Sequence, residues 1–313
     1  MCGLSPATKR EKMSNGGLRW SLGKSKLLGN MVAAGQAAVV SENLGLALRA
    51  SAALAWREVI RFLRQRHRVV GALGQPLLFW LLFGAGMHRS FRLDADSRMP
   101  FWQYYLPGTV LLVLLFTAIF ATISIIEDRR EGFLQGVLVA PVPRWVMVAG
   151  KLLGASLLAV GQALLLLALC AVWGIWLSPL GYLQAVLLLW VVSTAFGALG
   201  FVLAWRMDST QGFHAVMNLV LMPMWLLSGA FFPVPAVEPG DLVQTGLHWV
   251  MRLNPVTYAV AGLRGMIYPG RLPEGFWEPH SAWVCWAVTV GFAAFWVLAA
   301  WRVAERPAAG DGL

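Results

Sequence analysis

Residues 104–126 read YYLPGTVLLVLLFTAIFATISII, and residues 127–144, which follow directly, read EDRREGFLQGVLVAPVPR. The first stretch carries no charge and, as a helix rising 1.5 Å per residue, covers the roughly 30 Å of a bilayer's hydrocarbon core. The abrupt change to dense charge at Glu127 marks where such a helix would leave hydrocarbon, because an ionised side chain at mid-membrane is costly.

Five more blocks of the same kind lie at 69–87, 152–176, 182–205, 213–232 and 283–301. The 313-residue chain is 58% hydrophobic and only 13% charged, with a mean hydropathy of +0.65. A water-soluble domain carries about a quarter charged residues, so a single soluble core is excluded. The expected fold is an all-α membrane protein with six transmembrane helices, an N-terminal amphipathic interfacial helix, and a re-entrant or surface helical segment between spans five and six. Tryptophans near block ends, among them Trp80, Trp102, Trp176, Trp205, Trp283 and Trp301, are expected to form an interfacial belt. Pro76 and Pro223 sit inside spans and are expected to kink them.

Charge placement sets the orientation. With six spans and both ends on one side, 19 of the 25 lysines and arginines fall on that side. The positive-inside rule then puts both termini in the cytoplasm of a cell-membrane, multi-pass protein. It also explains the net charge of +10 without nucleic acid. Residues 1–43, polar and without periodicity, read as a disordered tail, 44–306 as one transmembrane domain, and 307–313 as a second short tail. The apolar run 31–40 is too short and interrupted for a cleaved signal peptide.

From residue 44 the pattern turns helical. Arg57, Arg61, Arg64 and Arg68 recur on one face, opposite Ala52, Ala55, Val59, Phe62 and Leu63, as a basic helix lying on the cytoplasmic lipid surface would require. In the connection after the second span, Glu127 and Arg130 are spaced for an i, i+3 ion pair. Beyond Gly132, Phe133, Leu134, Val137 and Leu138 form an apolar face on a short helix that Pro141 and Pro143 stop. Such a face at the water surface calls for a partner groove, or else the segment is a membrane-grazing elbow that only turns the chain around. Between spans five and six, residues 247–267 are half apolar but contain Arg252, Asn254, Pro255 and Arg264, so a re-entrant or surface-lying helix pair is expected rather than a seventh crossing.

Enzyme chemistry finds little support. Residues 17–25 resemble a phosphate-binding loop, but five residues separate the glycines where four are needed. The five histidines show no metal-binding spacing and no metal site is expected, nor do the three cysteines suggest a disulfide framework. His214 and Asn218, at i, i+4 in the fifth span, form a possible polar path, or else hydrogen-bond between helices. All fifteen acidic residues fall in tails or connections, whereas ion-coupled carriers place acids at mid-membrane. Energy for uphill transport would therefore enter from another chain.

Several motifs together resemble the permease subunits of ABC-2 type exporters: Glu127, Glu131 and Gly132, then Pro141, Pro143 and Arg144, then Gly150-Lys151. A second set is Leu227-Ser228-Gly229, Phe232-Pro233, Leu253-Asn254-Pro255, Tyr258 and Arg264. The resemblance implies a permease that dimerises with an identical or sister chain and pairs with two copies of a separate ABC ATP-binding subunit. It would bind no cofactor of its own, with ATP and Mg held on the partner. Cargo would be an amphipathic drug, lipid or saccharide-linked molecule. Glu127, Arg130, Glu131, Gly132, Phe133, Leu134, Pro141, Pro143 and Arg144 would couple the chain to the ATPase. The arginine-bearing helix would be the connecting helix. The alternative is a passive channel or assembly scaffold without an ATPase.

Overall fold

The structure, a computed structural model, describes residues 44–87, 99–139, 142–172, 174–235, 240–269 and 281–305, with 237, 277 and 279. The 1–43 and 307–313 tails, Pro141 and the side chain of Arg68 lie outside the described residues.

Among the described residues, six helices are long and apolar enough to cross a membrane. In chain order the helices are α1 (Leu44–Arg64), α2 (Arg66–Gly86), α3 (Phe101–Ala121), α4 (Ile123–Arg130), α5 (Phe133–Val139), α6 (Arg144–Val172), α7 (Pro179–Arg206), α8 (Thr210–Trp225), α9 (Leu242–Leu253), α10 (Pro255–Ile267) and α11 (Ala282–Ala304). The six spanning helices are α2, α3 continued by α4, α6, α7, α8 and α11.

The core is built around α3, whose residues from Tyr104 to Leu115 are almost all buried. This helix packs on α2, α6 and α7, and α7 packs in turn on α11. Together α3 and α4 form a 30-residue apolar stretch, about 45 Å long and so longer than the hydrocarbon core is thick. Its last turns therefore extend past the apolar layer. At the α3–α4 junction Gly200 of α7 sits so close to Thr122 that a Cβ would lie 2.6 Å from its hydroxyl oxygen.

The third span differs from the sequence expectation of 152–176. Its helix starts at Arg144, because Val146, Met147 and Val148 are apolar enough to be buried and Lys151 is enclosed by protein. It stops at Val172, ahead of Gly174, whose φ of +77° favours a residue without Cβ.

The aromatic belt also needs correction. Trp80 and Trp205 are buried, the former donating its Nε1 hydrogen to the Trp102 carbonyl and the latter stacked on Phe201 at 5.4 Å. Trp176, Trp283 and Trp301 do face outward.

Past Pro223, α8 gives way to a π-helical turn, Leu226–Ala230, in which Leu227 and Gly229 leave helical geometry. Three side chains hold this break. Asn254 donates to the Met224 and Leu227 carbonyls, and the Tyr104 hydroxyl and Arg264 guanidinium both donate to the Gly229 carbonyl, at 2.8 and 2.7 Å. Carbonyls freed where Leu227 and Gly229 leave helical geometry, the latter at a φ of +74°, are thus satisfied by protein rather than left bare.

The expected helix pair is present as α9 and α10, separated by Asn254. At 12 and 13 residues, each is about 18–20 Å long, too short to cross.

Candidate functional site

At the end of the bundle that carries α4 and α5, four segments meet around a cluster of buried charge. Helix α1 lies against the start of α6, and two glycines let it approach. A Cβ on Gly150 would fall 2.7 Å from the Leu54 Cβ, and one on Gly154 2.8 Å from the Glu58 Cβ and 3.0 Å from the Ala55 carbonyl oxygen. Small residues four apart are the usual means of bringing two helices to backbone contact in lipid. Ser51 adds a hydrogen bond from its hydroxyl to the Val146 carbonyl at 3.2 Å.

That contact places Glu58, on the buried side of α1, beside Lys151 of α6, with Nζ and Oε1 2.7 Å apart. Lys151 also donates to Asp128 of α4 and to the Ser124 hydroxyl at 3.1 Å. Asp128, at 0% exposure, further accepts from Arg57 at 2.9 Å and from Arg61 at 2.6 Å. Arg61 reaches Glu127 at 3.0 Å and Glu131 at 3.2 Å as well. Burial by itself would lower the Arg57 pKa, but the Asp128 hydrogen bond and the nearby Asp128, Glu58 and Glu131 carboxylates hold it above its ordinary value. Buried ions of this kind persist only when paired and hydrogen-bonded, as these are.

One expectation is corrected here. Arg57 and Arg61 turn toward the protein's own carboxylates instead of lipid headgroups, and the outward side of α1 is apolar, with Leu46, Leu48, Trp56 and Leu63 exposed. Arg64 is exposed. Glu58 and Asp128 lie outside the six apolar blocks and are nonetheless enclosed among helices.

Below this cluster, α4 turns through Gly132, whose φ is +76°, into α5. The Arg57 guanidinium lies 3.8 Å above the Phe133 ring, a cation–π contact that ties α1 to α5. Leu134 is buried and Val137 packs on the core, while Phe133 is partly exposed, Val139 is exposed, and the side chain of Leu138 lies outside the described residues. An open groove of about 460 Å³ runs between α1, α5 and the start of α6, lined by Leu54, Phe133, Val137, Pro143, Arg144 and Met147 among others.

The remaining expected coupling residues brace helix ends. Arg144 donates to the carbonyls of Ala304 at 2.9 Å and Glu305 at 2.8 Å, closing the end of α11. Arg130 bonds the Asp208 carbonyl rather than pairing with Glu127 along the helix. Its neighbour Arg129 donates to the Trp205 carbonyl at 2.7 Å and contacts Asp208 at 3.2 Å, satisfying the last carbonyls of α7.

Sequence reading missed Glu58, Asp128 and Arg129 as members of this site, and took Lys151 only as part of a motif. A signal was present for Asp128: Thr117, Ala121, Ser124 and Asp128 recur at helical spacing as a small, polar stripe on an otherwise bulky span.

A second, apolar chamber of about 210 Å³ opens between α2, α3 and α8, with Pro76, Phe79, Phe116, Phe120, His214 and Met222 on its walls. The His214 ring sits 4.9 Å from that of Phe120. Asn218, one turn further on, is exposed beside this lining rather than within it.

Comparison with known proteins is consistent with this arrangement. The family model described as "ABC-2 type transporter" matches residues 49–268. The chain is 24% identical over 231 residues to ycf38 of Cyanophora paradoxa, named as a transport permease, covering 73% of each protein. It is 28% identical over 233 residues to the daunorubicin resistance ABC transporter permease DrrB1 of Streptomyces coeruleorubidus, covering 71% of this chain and 75% of that one. Nodulation protein J of Rhizobium meliloti is 26% identical over 221 residues, 67% of this chain and 76% of its own.

Proposed function

The chain belongs to the ABC-2 type transporter family, and from that membership we propose that it is the permease half of an ATP-driven exporter whose ATP is hydrolysed, with Mg, on a separate chain. Two ATP-binding subunits serve a pair of permeases in this reading, with α1, α4 and α5 on the cytoplasmic side of the cell membrane. Cargo is an amphipathic molecule, in keeping with the apolar and aromatic chamber between α2, α3 and α8.

The observation that carries the proposal is the charge cluster itself. Its ion pairs join α1, α4 and α6, and a single cation–π contact extends it to α5. A push on α5 is therefore delivered to the ends of the second and third spans as one rigid unit. Phe133 and the groove beside it, with Pro143 and Arg144 on its wall, offer the ATPase a contact; Glu127, Arg130, Glu131, Gly132 and Leu134 support that contact from behind.

The test is purification of the tagged chain from its native membranes in mild detergent, with identification of what accompanies it. A stoichiometric ATP-binding subunit is expected, lost or uncoupled by Phe133→Ala while membrane insertion persists. A chain that remains alone after crosslinking would overturn the proposal in favour of a passive channel or scaffold.

A further inference from the structure

Three helices wall the apolar chamber, and each carries an aromatic side chain beyond it, toward the end of the bundle opposite α4 and α5. On α2, Phe83 follows the lining residue Phe79 by one turn, their rings 5.9 Å apart. On α3, Tyr105 stands two turns beyond Leu112, and on α8, Trp225 stands a turn beyond Met222. Phe231, just past the break in α8, fills the space among them. Its half-buried ring meets those of Phe83, Tyr105 and Phe101 at 5.1, 5.4 and 5.7 Å, each nearly edge to face. The preceding residues set its backbone in place. A Cβ on Gly108 of α3 would lie 2.6 Å from the Ala230 Cβ, and the Gly229 carbonyl is bonded by Tyr104 and Arg264. The far end of the chamber is thus stoppered by a phenylalanine seated in an aromatic socket.

One polar atom of that socket is badly placed. Tyr105 is 0% exposed, stacked on Phe101 at 5.5 Å and 6.0 Å from the Trp225 ring, and its hydroxyl has no hydrogen-bond partner among the described residues. Trp225 does not supply one, since its Nε1 hydrogen goes to the Gly108 carbonyl at 2.8 Å. The adjacent Tyr104, by contrast, donates to the helix break. A buried hydroxyl left unbonded carries a desolvation cost that a phenylalanine at the same place would not. We propose that Phe231 is a stopper on the chamber and that Tyr105 is the positioning residue that keeps it releasable. The hydroxyl is unbonded while Phe231 is seated and is hydrated once that ring swings out, so it favours the open form. That the stopper closes the cargo's way out rests on the export reading; the loose seating of Phe231 does not.

No nucleotide, ATPase or cargo is needed for the test. The full chain is heated in mild detergent and read as the fraction still monodisperse on size exclusion. Tyr105→Phe should raise the midpoint by roughly 3–6 °C. The gain should vanish in a Phe231→Ala background, where water already reaches the hydroxyl. A Tyr105→Phe midpoint at or below the parent's, or the same gain with and without Phe231, would overturn the proposal, because Tyr105 would then be an ordinary core residue. The stopper is read separately in intact cells, on the chain with Cys2, Cys170 and Cys285 replaced by Ser and with Leu112→Cys on the chamber wall. A membrane-impermeant methanethiosulfonate added outside should modify position 112 at least about tenfold faster once Phe231→Ala removes the three ring contacts. Equal rates would overturn the stopper. Gln244→Cys, exposed on α9, is the surface control. Absence of labelling there from outside would refute the orientation in the export reading, while the heating cycle still decides the seating of Phe231.

Discussion

Replacing Asp128 by Asn keeps shape and removes one charge at the centre of the cluster. Asp128 is fully buried and accepts from Arg57, Arg61 and Lys151. Breaking a buried ion pair from one side typically costs about 3–5 kcal/mol, because the abandoned charge stays buried. Here the loss is softened. Lys151 keeps Glu58 at 2.7 Å, and Arg61, about a fifth exposed, keeps Glu127 and Glu131. A cost of about 2–4 kcal/mol follows, which by soluble-domain scaling lowers the unfolding midpoint by roughly 5–10 °C. The midpoint is read as the fraction of chain still monodisperse on size exclusion after heating in mild detergent. A double-mutant cycle with Arg57→Ala should then show strong coupling, the pair costing less than the sum of the single changes. A midpoint within about 1 °C of the parent, or strictly additive effects, would refute the view that the cluster fastens α1 to α4.

Gly154→Leu should be far more damaging than Gly161→Ala, because a Cβ at 154 meets the backbone of α1 whereas nothing lies within 4 Å of one at 161. The former is expected to cost at least about 1–3 kcal/mol and the latter to be neutral or slightly stabilising, by the same heating assay. Asn254→Ala removes two hydrogen bonds to the end of α8 and the cap on the Val256 amide. A loss of about 2–3 kcal/mol is expected, with faster deuterium exchange localised to 224–230. Arg144→Ala frees the last carbonyls of α11, costing about 0.5–1.5 kcal/mol and quickening tryptic cleavage after Arg302 without changing exchange in α3.

The six apolar blocks were legible at once because hydrocarbon imposes a local rule: enough consecutive uncharged residues to reach across, whatever surrounds them. The short α9–α10 pair was legible for the complementary reason, since Arg252, Asn254, Pro255 and Arg264 forbid a continuous lipid-exposed span. Motif order carried the family. None of this could say which way a charged side chain turns. Arg57 and Arg61 read as lipid-facing because periodicity reports that residues share a face, not what that face meets. Glu58, Asp128 and Lys151 lie on three separate helices. They become partners only because Gly150 and Gly154 admit α1 to contact distance and the helix through Asp128 extends beyond the apolar layer. Likewise the Trp80 and Trp205 indoles are buried by their neighbours, not by their place near a block end. Spanning is a property of one segment and its solvent, whereas pairing of buried charge is a property of the distance between segments, which is set by packing alone.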